Sequence, residues 1–172
     1  MSATRTCQLT TKDLAILEVM LERHGHDDAF ECLLRRKIRG AWVVFRDDIA
    51  PGVVTLNSRI AYRIDDGPVT PGLIVQAEGE NFPGSALSLR TLRGLALLGL
   101  AEGESIEIAR PAGGQERLSV TEVIFQPEAA SRASARRSIA SRPSVLPFRA
   151  RAAPSEAVHG PSDDDEPGPA AA

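Results

Sequence analysis

The sequence predicts an α+β fold: two short antiparallel helices, a small antiparallel sheet with one helix against it, and a disordered tail. Three changes of pattern predict it. Apolar residues recur at helical spacing up to about residue 40, alternate with period two from about residue 53, and become isolated beyond about residue 130.

The first helix starts at Thr10, an N-cap with Asp13 three residues on, while Leu9 and Leu14 occupy hydrophobic-staple positions. Leu14, Leu17 and Leu21 form its apolar stripe, and Gly25 stops it. A second helix begins near Asp27 or Asp28, whose carboxylates suit a helix N-terminus. It carries Phe30, Leu33, Leu34 and Ile38 inward and ends near Gly40. So short a link predicts a helical hairpin over residues 9–41. Each helix of roughly 13 to 15 residues spans only about 20 Å.

A β domain is expected over residues 50–129. In "VVTLNSRIAYR", Val54, Leu56, Ile60 and Tyr62 alternate with Thr55, Asn57, Arg59 and Ala61, a strand with one buried face. "DDGP" at 65–68 is a turn, and "GLIVQAE" and "ALSL" are further strands. "TLRGLALLG" is a short helix with Gly99 at C′ and Leu100 as the hydrophobic contact after the cap. "ESIEIAR" and "RLSVTEVIF" form a hairpin across "PAGG" at 111–114. Residues 131–172, rich in Ala, Ser, Pro and Arg, bury too little apolar surface to offset their ordering entropy and are expected to be disordered.

Composition narrows the function. Apolar residues at 42% and charged residues at 25% are ordinary for a folded domain. Seven aromatic residues leave little for a base-stacking platform or an aromatic-lined pocket. Residues 1–129 hold 14 basic and 18 acidic side chains, and the tail places six arginines before five acids. No stretch has the roughly 20 apolar residues of a membrane span, and the start "MSATRTCQLTTKD" is no signal peptide, so a cytoplasmic protein is expected. Cys7 and Cys32 form no CxxC and are expected as free thiols, Cys32 as a small core residue.

The stretch "ERHGHDDAFECLL" gathers two histidines, four carboxylates and a cysteine. His24 and His26 flank the helix-breaking Gly25 and Cys32 lies more than a turn away, so the donors do not converge and no metal site is expected. Asp27, Asp28 and Glu31 sit at the hairpin tip, either complementing the helix dipole or touching a partner. Arg35, Arg36, Lys37 and Arg39 are either solvated cations at a helix C-terminus or a patch for an acidic surface. With no GxSxG, P-loop, HExxH or GxGxxG, neither catalytic residues nor a cofactor are expected.

Three pieces in order, "VVTLNSR", "GLALLGLAEGESIEI" and "EVIFQPEA", resemble the C-terminal domain of the GreA/GreB transcription factors. The likeness is closest to that family's Rnk-like group, the regulators of nucleoside diphosphate kinase, and covers roughly residues 9–129. It implies an FKBP-like β domain behind a coiled-coil hairpin, and binding to bacterial RNA polymerase at the mouth of its secondary channel. In Gre factors the C-terminal domain grips the polymerase rim while a long hairpin carries acidic residues to a catalytic Mg²⁺. The shortened hairpin implies an occupant that competes with Gre factors without stimulating cleavage.

The resemblance places polymerase contacts at Asn57, Ser58 and Arg59, which otherwise read as polar residues fixing a turn, and at Arg90, Thr91, Leu92 and Arg93. In that second loop the family carries a proline which this sequence lacks. A monomer is expected, with no membrane association and no sequence-specific nucleic-acid binding. Two alternatives stand beside this reading: a cleavage factor using Asp28 and Glu31, and a prolyl isomerase suggested by the FKBP-like fold alone.

Overall fold

Thr10 caps the first helix as its spacing predicts, its Oγ1 accepting from the Asp13 N–H at 3.1 Å. The computed structural model describes residues 7–23, 27–76, 85–110 and 112–140; Gly25, the expected helix stop, lies outside them. Strand β1 (Gln8–Thr10) leads into α1 (Thr11–Glu22), and α2 (Asp28–Gly40) leads into β2 (Trp42–Val44). β1 and β2 pair in parallel with Leu9 opposite Val43. Neither strand is legible in the sequence, because three residues are too few for alternation to register.

The main sheet holds β3 (Arg59–Ile64), β4 (Thr70–Val75), β5 (Ala86–Ser88), β6 (Ser105–Ala109) and β7 (Gln115–Phe125). Its order is β5-β4-β3-β7-β6. The expectation of an antiparallel sheet needs correction: β5 runs parallel to β4, with Ile74 opposite Leu87. Register shifts where β3 meets β7 mark irregularities that increase local twist. Turn chemistry matches the sequence at both hairpin ends, with Asp65 at φ 49° after β3 and Gly113 and Gly114 at φ 92° and 87° before β7.

The strand expected from residue 53 begins only at Arg59. Before it, Ser58 N–H donates to Thr55 O at 3.1 Å and Asn57 holds φ 64°, so the chain turns where alternation suggested extension. Val54, Leu56, Ile60 and Tyr62 are buried as expected, but so is Thr55, which alternation placed outside.

One core joins helices to sheet: Leu9, Leu17, Phe30 and Leu34 pack in the same cluster as Ile60, Ile74, Leu95 and Leu118. Cys32, expected inside, is exposed. Phe30, Leu33 and Leu34 set the buried phase of α2, and at 100° per residue position 32 points outward. Part of the segment expected to be disordered is helical, since α4 (Pro127–Ala140) covers its first ten residues, 131–140. Proline suits the first helical position and alanine is the best helix former, so this composition can be helical when tertiary contacts seat it. The rest of the expected tail, 141–172, lies outside the described residues.

Helix α3 (Leu92–Leu97) presses on the sheet at a glycine. A Cβ on Gly94 would lie 2.1 Å from Ser88 O and 2.7 Å from Ser88 C, both backbone atoms. Gly94→Ala is therefore expected to destabilise the fold by about 3 kcal/mol, at the upper end of overpacking costs, as measured by chemical denaturation.

Candidate functional site

At the amino end of α2, Asp27 occupies the N-cap position but its side chain makes no capping bond. Asp27 and Asp28 are exposed. Glu31 accepts from Arg35 Nε at 2.9 Å, an i,i+4 pair that occupies its carboxylate. His24 and His26 lie outside the described residues.

The "TLNSR" segment divides by burial. Asn57 and Arg59 are exposed, whereas Ser58 is fully buried. Ser58 Oγ accepts from Thr55 N–H at 3.1 Å and sits 3.0 Å from Thr55 Oγ1, which donates to Glu128 Oε2 at 2.6 Å. Gln126 Nε2 donates to Ala50 O and Val53 O at 2.8 and 2.7 Å. The "NSR" and "QPEA" pieces thus meet, and Ser58, Gln126 and Glu128 hold α4 to the turn before β3.

Asp13 belongs to the same buried cluster, 2% exposed, and its Oδ2 has no hydrogen-bond partner among the described residues. Burial first, and then the Glu128 carboxylate, push its carboxyl above the usual range, against hydrogen bonds from Thr10 and the Leu56 N–H.

In the loop before α3, Leu92 stands where the family carries proline and Thr91 precedes it as the N-cap. Thr91 Oγ1 donates to Ser88 O at 2.8 Å and accepts from Gly94 N–H at 3.1 Å, capping the helix. Leu92 packs against the core and Arg90 is exposed. Arg93 makes a bidentate pair with Glu116, at 2.7 and 2.8 Å. Ionic contacts continue across the sheet: Arg110 reaches both Glu116 and Asp65, and Arg117 pairs with Glu107 at 2.8 Å. The Arg117 N–H and then Arg110 hold the Asp65 carboxyl below its usual range. A depression of about 530 Å³ lies over this network, lined by polar and charged side chains such as Arg63, Asp66 and Thr121. Among the described residues, no aromatic side chain lines it.

These candidates do not form one patch. Arg59 stands opposite Phe125 at the end of β7, whereas Arg93 is bonded to Glu116 near its start. Nine residues of strand separate the two, roughly 30 Å along an extended chain.

Two features escaped the sequence reading. Lys37, expected among solvated cations, is 4% exposed, and its Nζ donates to Leu98 O at the end of α3. Burial lowers its pKa to about 8. The signal was present, since position 37 lies three and four residues after Leu34 and Leu33 on the inward face. The second feature is the exposure of Trp42, at 65%, and Phe45, at 72%.

The two buried titratable groups set opposite pH trends. Asp13 holds its proton more tightly folded than unfolded, so its contribution to stability is complete below its ordinary value of 3.8 and is lost as pH rises through the folded value. Asp13→Asn is expected to raise stability at pH 7 and to change it little at pH 4, read by denaturation at each pH. Lys37 releases its proton more readily when folded, so its contribution grows between about pH 8 and 10.5. Lys37→Met is expected to remove that rise, a slope of at most about 1.4 kcal/mol per pH unit, in the same measurement.

No family model matches the chain. Its sequence is 38% identical over 85 residues to the "Regulator of nucleoside diphosphate kinase" of Escherichia coli K12 and, to the same extent, to that of Shigella flexneri. The match spans 49% of this chain and 62% of each relative. Among solved structures, a "Prokaryotic transcription elongation factor GreA/GreB from Nitrosomonas europaea" matches with a TM-score of 0.56 and 29% identity, over 71% of this chain and 100% of that one. The chain thus has a homologue among the regulators of nucleoside diphosphate kinase and a structural neighbour among GreA/GreB factors, as its three motifs suggested.

Proposed function

We propose that the chain binds RNA polymerase at the mouth of its secondary channel and regulates elongation as a monomeric cytoplasmic protein without stimulating transcript cleavage. The observation that carries this reading is the combination of a GreA/GreB-like architecture with helices of only 12 and 13 residues. At 1.5 Å per residue such helices extend about 20 Å, too short to carry Asp28 or Glu31 deep into a channel. In this reading α1 and α2 form a shortened hairpin, and the five-stranded sheet with α3 is an FKBP-like domain that grips the polymerase. The polar lining of the sheet's depression favours binding over prolyl isomerisation, which needs an apolar pocket.

The purified protein is expected to bind core polymerase and to slow RNA shortening by a Gre-type factor in stalled complexes, in proportion to its concentration. Absence of binding would remove the proposal. Mg²⁺-dependent shortening by the protein alone, lost in Asp28→Ala, would replace it with a cleavage factor.

A further inference from the structure

Five of the chain's seven aromatic residues lie in the described segments, and three of these, Trp42, Phe45 and Phe125, are exposed. A chain so poor in aromatics gains nothing in stability by leaving them in water. Trp42 and Phe45 lie on β2 and the residue after it. The next residue is fastened to α4: Arg46 Nη2 donates to Ser131 Oγ at 2.8 Å, and Arg132 Nη1 donates to Arg46 O at 3.0 Å. Phe45 therefore stands beside α4, and Arg136, one helical turn beyond Arg132, extends the same side.

The charge around these aromatics is opposite to that of the whole. Residues 39–48 and 131–138, the two segments joined at Arg46, carry Arg39, Arg46, Arg132, Arg136 and Arg137 against Asp47 and Asp48, five cations to two anions on a chain of net charge -3. Aromatic and arginine side chains together are what protein interfaces enrich, the aromatics supplying the desolvated centre and the guanidinium groups the rim. Asp47 and Asp48 interrupt the unbroken positive track that a phosphate backbone requires.

We infer that β2, the turn after it and the adjacent side of α4 form a docking face for an acidic protein surface, and, resting on the function proposed above, that this surface belongs to RNA polymerase. The face is separate from the loop before α3, whose Arg93 is already paired with Glu116.

The test is a titration of fluorescently labelled full-length chain with core polymerase at two salt concentrations. Trp42→Ser with Phe45→Ser, and separately Arg132→Glu with Arg136→Glu, are each expected to raise Kd at least tenfold, while Val69→Ser on the far loop leaves it unchanged. Wild-type binding should weaken with salt, and weaken less in the arginine variant. Circular dichroism confirms that each variant is folded. If wild type binds and both double variants bind equally well, this face is excluded while the proposed function stands. If wild type does not bind, the proposed function and this inference fall together. Loss of single-stranded RNA binding or of self-association in the variants, with polymerase binding intact, would reassign the face and overturn the inference.

Discussion

The end of α3 is the joint on which the fold depends. Within three residues, Leu98 O accepts from the buried Lys37 ammonium, Gly99 O accepts from Gln8 N–H at 2.9 Å, and Leu100 O accepts from Val54 N–H at 2.9 Å. Gly99 also donates to Val54 O at 2.8 Å. The carbonyls of the three residues that follow α3 are thus met by α2, β1 and the segment before β3. Gly99 has φ 80°, and a Cβ there would lie 2.9 Å from Gln8 O. The short helix works as a connector, binding the helical part to the sheet through its own backbone.

Lys37 carries a cost in that arrangement. A buried ammonium loses its hydration, and its low pKa records this loss. Its donation to Leu98 O offsets part of the loss and gives α2 a directional contact where apolar side chains alone would allow sliding. The Asp13 and Glu128 carboxylates lie in another buried polar cluster, where Thr55 and Ser58 link the turn before β3 to α4. Both polar clusters occur where separate elements of the chain meet.

How legible these features were depended on how local their causes are. The Thr10 cap, the Gly99 ending of α3 and the glycine turn before β7 rest on neighbouring residues, and the sequence pattern located each. β1 and β2 depend on each other across more than thirty residues, with Leu9 opposite Val43, and three-residue strands carry no period. Alternation misled between Val54 and Tyr62 because the left-handed Asn57 interrupts extended chain without altering the apolar spacing. Composition misjudged α4, whose order comes from Thr55 and Arg46, far away in sequence. The candidate site was legible only as motifs: "NSR" and "QPEA" meet in space, but much of that meeting is internal scaffolding.

The pairing of β1 with β2 has a consequence for how such a molecule changes over evolutionary time. The chain enters α1 directly from β1 and leaves α2 directly into β2, so the point of departure and the point of return are laced together. Whole helical turns added at the far end would leave this base undisturbed, since each adds about 5.4 Å outward and no strain at the lacing. Reach becomes a quantity that selection can adjust by insertion alone, with the sheet and its charged surface left as they are.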